Sequence, residues 1–105
     1  MFGRPKRPKY KKDKGSIALA KRIGNKRFSV VSEFDENGTE HILGHGGSVS
    51  LSYGWVVVVS NGTETFRADE KSFRAAELMS GNGVRLSGLD DEGKFHNVLA
   101  IYNKF

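Results

Sequence analysis

A chain of 105 residues can build one hydrophobic core and excludes two domains of ordinary size. It holds no cysteine, which excludes a disulfide framework, a thiolate nucleophile and a cysteine-based zinc site, and its longest apolar run, Trp55 to Val59, is far too short to cross a bilayer. The formal net charge of +5 hides a partition: residues 1–27 hold eleven Lys and Arg against Asp13 alone, a net of +10, whereas the remainder holds six bases against eleven acids, a net of −5.

The chain opens on RPKRPKYKKDK, residues 4–14. Fixed proline dihedrals and mutual repulsion favour an extended arm there, and too few apolar side chains are present to offset the entropy of ordering it. Residues 1–14 are therefore read as a basic disordered arm and residues 15–105 as one compact β-rich domain. The basic start is followed only by GSIALA before Lys21 and Arg22 interrupt, too short for a secretory signal, so a soluble, cytoplasmic protein is expected.

SIALAKRIG, from residue 16, fits a short helix with Ser16 as its cap and Gly24 beyond its end, or a strand turning at Gly24 and Asn25; the alanines favour the helix. From Phe28 the pattern is β. FSVVSEF, the turn DENG and TEHIL predict one hairpin; WVVVVS, Asn61-Gly62 and TETFR predict a second, because that dipeptide tolerates the positive φ of a two-residue turn. Trp55, Val57 and Val59 face one way and Val56 and Val58 the other, which predicts a central strand, apolar on both faces.

ADEKSFRAAELMSG reads as a helix over 69–79, capped by Asp69, ended by Gly81 and presenting Phe73, Ala76 and Met79; a strand with SGNG as a hairpin turn is the competing reading. VRLSGLD, DEG and KFHNVLAIY predict a last hairpin with Phe95, Leu99 and Ile101 on one face. The expected fold is α+β, mainly β: a small, partly open barrel or sandwich of hairpins with one short helix. The order from residue 48 of three strands, a helix and two strands resembles that of an OB-type barrel, and an SH3-like arrangement fits nearly as well.

No catalytic residue is predicted. The HGG at residues 45–47 lacks the Gly-x-Ser-x-Gly elbow that an esterase needs, no Gly-Lys-Ser/Thr follows it, and SGNG lacks the third glycine of a dinucleotide loop. His41 and His45 on a strand stand about 13 Å apart, too far to share an ion, so neither metal nor cofactor is expected. The acids in turns are expected to be solvated.

What remains is the positive charge. Arg4, Lys6, Arg7, Lys9, Lys11, Lys12, Lys14, Lys21, Arg22, Lys26 and Arg27 are candidates to neutralise phosphates, with Tyr10 free to stack on an unpaired base. Tyr53, Trp55 and Tyr102 could add stacking if exposed on a strand face, although aromatics in strands more often belong to the core. About six duplex phosphate contacts would give a log–log salt slope near −5. The sequence thus predicts a non-enzymatic nucleic-acid-binding module, DNA or RNA, with little sequence preference. The alternative is a protein-interaction or structural module of a larger assembly, whose arm docks on an acidic partner.

Overall fold

The structure, a computed structural model, describes residues 11–103. One helix, α1 (Lys14–Arg22), precedes eight strands: β1 (Phe28–Phe34), β2 (Glu40–His45), β3 (Ser48–Ser52), β4 (Trp55–Ser60), β5 (Thr63–Asp69), β6 (Arg74–Glu77), β7 (Gly83–Leu89) and β8 (Phe95–Tyr102). Every strand pairing is antiparallel, in a five-stranded sheet ordered β2-β1-β8-β7-β6 and a three-stranded sheet ordered β3-β4-β5. The sheets pack through β5 against β7 and β8, and α1 lies against β6 and β3, covering one edge of each. This is the mainly β, partly open sandwich with one short helix that the sequence predicts. No helix among the described residues is long and apolar enough to cross a membrane.

The core between the layers holds Ile23, Phe28, Val31, Val49, Val56, Val58, Phe73, Val84, Leu86 and Val98, all fully buried or nearly so. Phe28 and Val31 both reach it although strict alternation would separate them. The register of β1 against β8 shifts between Phe28 and Val30, and the irregularity brings both side chains inward. β4 is central in its sheet, as its two apolar faces predict.

α1 confirms the helical reading of SIALAKRIG, with its start moved. Asp13 is the N-cap, accepting from the Ser16 amide, and the helix takes in Lys14, the last residue assigned to the arm. Ser16, expected to cap α1, instead donates its hydroxyl to Asp13 and accepts from the Ala75 amide at 2.9 Å, closing the open edge of β6.

The helix expected over 69–79 does not form. Asp69 does begin one turn, its carbonyl accepting from the Ser72 and Phe73 amides and its carboxylate from the Lys71 amide. The chain then extends into β6, which pairs with β7 from Arg74↔Ser87 to Glu77↔Val84. Phe73 is buried, whereas Ala76 and Met79 are exposed, so the three share no buried stripe. Pairing with a long neighbouring strand outweighs local helix propensity, and the strand–hairpin alternative is the correct one. With it goes the OB-type order: the helix precedes the first strand and does not divide the third strand from the fourth. Phe95, Leu99 and Ile101 do share a face, and it is the outer one; β8 sends Val98 and Ala100 to the core.

Candidate nucleic-acid interface

Arg4, Lys6, Arg7, Lys9 and Tyr10 lie outside the described residues. Of the rest, Lys14, Lys21 and Arg22 lie on α1, Lys11 and Lys12 precede it, and Lys26 and Arg27 follow it. At the described root of the arm, Arg74 donates from Nη2 to the Lys11 carbonyl at 3.1 Å, and Lys12 Nζ pairs with Glu70 at 3.1 Å. From there the exposed residues of the helix are Lys14, Gly15, Ala18, Lys21 and Arg22, one solvent-facing stripe with no acid on it. Lys21 and Arg22 occupy the last turn, where cations suit the negative end of the helix dipole. Exposed Lys26 and Arg27 continue the track into β1. The nine residues of α1 therefore carry positive charge about 13 Å from the arm's root to the Lys26–Arg27 end.

At that far end a cavity of about 330 Å³ is lined by Asn25, Lys26, Arg27, Tyr102 and Asn103. The Arg27 carbonyl accepts from the Asn103 amide at 2.7 Å, which fixes the connection to the end of β8. Tyr102 stacks on Phe28, with ring centroids 6.1 Å apart, and Lys26 Nζ stands 4.9 Å from the Tyr102 ring. The Tyr102 hydroxyl is buried with no hydrogen-bond partner among the described residues. Burial pushes its pKa up, Glu77 adds to the rise and Arg22 opposes it. Arg22 itself pairs with Glu77 at 3.1 Å.

Beside the arm's root stands an aromatic. Ser52 and Trp55 close a two-residue hairpin loop made of Tyr53 and Gly54, and Tyr53 is completely exposed. Its φ is 48°, in the left-handed region that a non-glycine side chain rarely adopts, and Gly54 follows at 85°. The equivalent loop between β4 and β5 uses Asn61 and Gly62 at φ 51° and 78°, the residues this turn ordinarily selects. The Gly54 carbonyl accepts from the Glu70 amide, and Glu70 in turn holds Lys12, so the tyrosine loop and the arm's root share one anchor. Of the other aromatics weighed from sequence, Trp55 is half-buried under Arg67, whose guanidinium lies 5.0 Å from its ring.

The opposite end of the larger sheet is acidic and is built from a motif that sequence reading missed. DENGTEH, residues 35–41, and DDEGKFH, residues 90–96, share the spacing Asp-x-x-Gly-x-x-His. Asp35 accepts from the Asn37 and Thr39 amides and meets His41 Nε2 at 2.9 Å; Asp90 accepts from the Glu92 and Lys94 amides and meets His96 Nε2 at 2.7 Å. These hydrogen bonds, led in each case by the histidine, hold both aspartates below the usual carboxylate range. His96 also meets Glu33 through Nδ1 at 2.7 Å. Two carboxylates on the two ring nitrogens call for a donor at each, which is the imidazolium. Burial opposes that charge, but Asp90 and Glu33 outweigh it and raise the His96 pKa above its ordinary value.

The arrangement contains no cluster of three or more His, Asp or Glu among the described residues that could hold a metal ion. No protein-family model matches the chain, and no match is found among curated proteins or solved structures.

Proposed function

We propose that this is a cytoplasmic, non-enzymatic module that binds single-stranded nucleic acid without strong sequence preference. Its basic arm and the α1 track would hold the phosphates, and Tyr53 would stack on a base. The single observation that carries this reading is Tyr53, a fully exposed aromatic in a backbone conformation that costs free energy, placed beside the root of a strongly basic segment. Every base offers a π-face, so stacking together with phosphate contacts gives affinity that tolerates sequence.

The test is a fluorescence-anisotropy titration of the full chain with a labelled mixed-sequence single strand. Tyr53→Ala removes the platform and is expected to lower affinity by about tenfold, within the range of about 1–3 kcal/mol for one stacked base. Unchanged affinity in Tyr53→Ala, or tighter binding to duplex than to single strand, would overturn the reading. The alternative, a protein-interaction module whose arm docks on an acidic partner, draws on the same basic residues and would show as capture of an acidic protein with no affinity for the single strand.

A further inference from the structure

A second aromatic stands at the far end of the track, held from more sides than Tyr53. Tyr102 ends β8; its amide donates to the Asn82 carbonyl at 2.9 Å, and the next amide, that of Asn103, reaches the Arg27 carbonyl. Its ring stacks on the fully buried Phe28, and its hydroxyl is sealed from solvent. Phe28 takes the inner face, so the exposed Lys26, with Nζ 4.9 Å from the ring centroid, stands over the outer one. A ring fixed in this way gives up little freedom when a ligand stacks on it.

The groups around that outer face match the parts of a nucleotide. Lys26 and Arg27 supply cations for a phosphate, and Asn25 and Asn103 bring side-chain amides that both donate and accept, as reading a base edge requires. All four are exposed. Their cavity of about 330 Å³ is the size of a small-ligand site. A stacked base outweighs an exposed cation–π contact, so a base displaces Lys26 Nζ from the ring and leaves it for the phosphate. Glu77, the acid whose charge reaches Tyr102, is paired with Arg22 at 3.1 Å and does not face a phosphate unopposed.

We propose that this cavity is a nucleotide subsite, in which a base stacks on Tyr102 in place of Lys26 Nζ, Asn25 and Asn103 meet its edge, and Lys26 and Arg27 take its phosphate. The subsite takes its ligand class from the single-strand reading and goes beyond it. It puts a second base contact at the far end of α1 and gives an otherwise sequence-tolerant surface one position that senses base identity.

The test is an NMR titration of the full-length, isotope-labelled protein with adenosine monophosphate and, separately, with ribose-5-phosphate, which keeps the phosphate and lacks the base. The nucleotide is expected to shift the amide signals of Asn25, Tyr102 and Asn103 and to bind at least about fivefold more tightly than the sugar phosphate. Asn25→Ala combined with Asn103→Ala, at exposed positions and without change of charge, is expected to weaken the nucleotide by about threefold or more and to leave the sugar phosphate unchanged. Tyr102→Phe, which keeps the ring, is expected to bind as the wild type does. Equal affinity for the two ligands overturns the subsite, as does a nucleotide affinity that the double substitution leaves unchanged. If a labelled single strand still binds in that case, the reading of the track stands; binding of neither strand nor nucleotide overturns both.

Discussion

Tyr53 and Asn61 occupy the same position in the same kind of turn, and only one of them suits it. Asparagine adopts positive φ readily, whereas tyrosine there carries a conformational cost and, fully exposed, recovers none of it by burial. Tyr53→Asn is therefore expected to stabilise the fold by about 0.5–1 kcal/mol while weakening single-strand binding. Chemical denaturation and an anisotropy titration of the same variant read the two effects, and a gain in stability with affinity intact would separate the tyrosine from the function. His96 sets a second expectation at this scale. Its folded pKa is raised above 6.5, so the stability it confers is complete below that value and is lost as pH rises through the folded pKa. Asp35 and Asp90, with pKa values lowered from 3.8, act in the opposite sense and lose their contribution as pH falls below it. Urea midpoints should thus be highest between the two limits, and His96→Gln, at a cost of about 1–3 kcal/mol at pH 6, should flatten the alkaline side of the profile. A wild-type midpoint that climbs from pH 6 to pH 9 would contradict the imidazolium clamp.

At the scale of elements, the hairpins were legible because their turns carry their own chemistry. Asn61-Gly62 needs no tertiary context to bend the chain, and neither does the acid-rich DENG or DDEG. The 69–79 segment reads locally as helix because its helix signals are real, but they stop after one turn, and what decides its state is β7, a partner later in sequence whose pairing no local pattern contains. The site was legible in part: the sequence marks Lys14, Lys21, Arg22, Lys26 and Arg27 as basic, but only the exposure of one helix face shows them as a track. From sequence Tyr53 is only one of several strand aromatics, because nothing in SYGW shows that the tyrosine sits at the turn. The link between sheets depends on an equally quiet residue. Gly47, at φ 99°, lies where the chain passes from β2 to β3, and a Cβ there would overlap the Val59 carbonyl oxygen. Gly47→Ala combines a left-handed backbone with that overlap and should cost at least about 2 kcal/mol by thermal or chemical denaturation; a change under about 0.5 kcal/mol would show that this crossing is not as close as described.

Across the whole molecule, charge is polarised. The α1 track and the Lys26–Arg27 end are basic, whereas the β1–β2 and β7–β8 turns gather Asp35, Glu36, Asp90, Asp91 and Glu92 at the opposite end of the same sheet. Such a molecule would orient itself in the field of a polyanion, presenting its helix and turning its acidic turns outward. If six arm charges and the exposed bases Lys14, Lys21, Lys26 and Arg27 all meet phosphates, with Arg22 left to its pair with Glu77, the log–log salt slope on a single strand should approach about −7, at about −0.7 per contact. The most direct measurement is that slope, taken from anisotropy titrations of the full chain with and without Lys21→Ala, Lys26→Ala and Arg27→Ala combined. The expected result is tight, salt-sensitive binding whose slope falls in magnitude by about 2 when the track is neutralised. Affinity indifferent to salt, or a slope that the triple substitution leaves unchanged, would contradict the assignment of this face to nucleic acid.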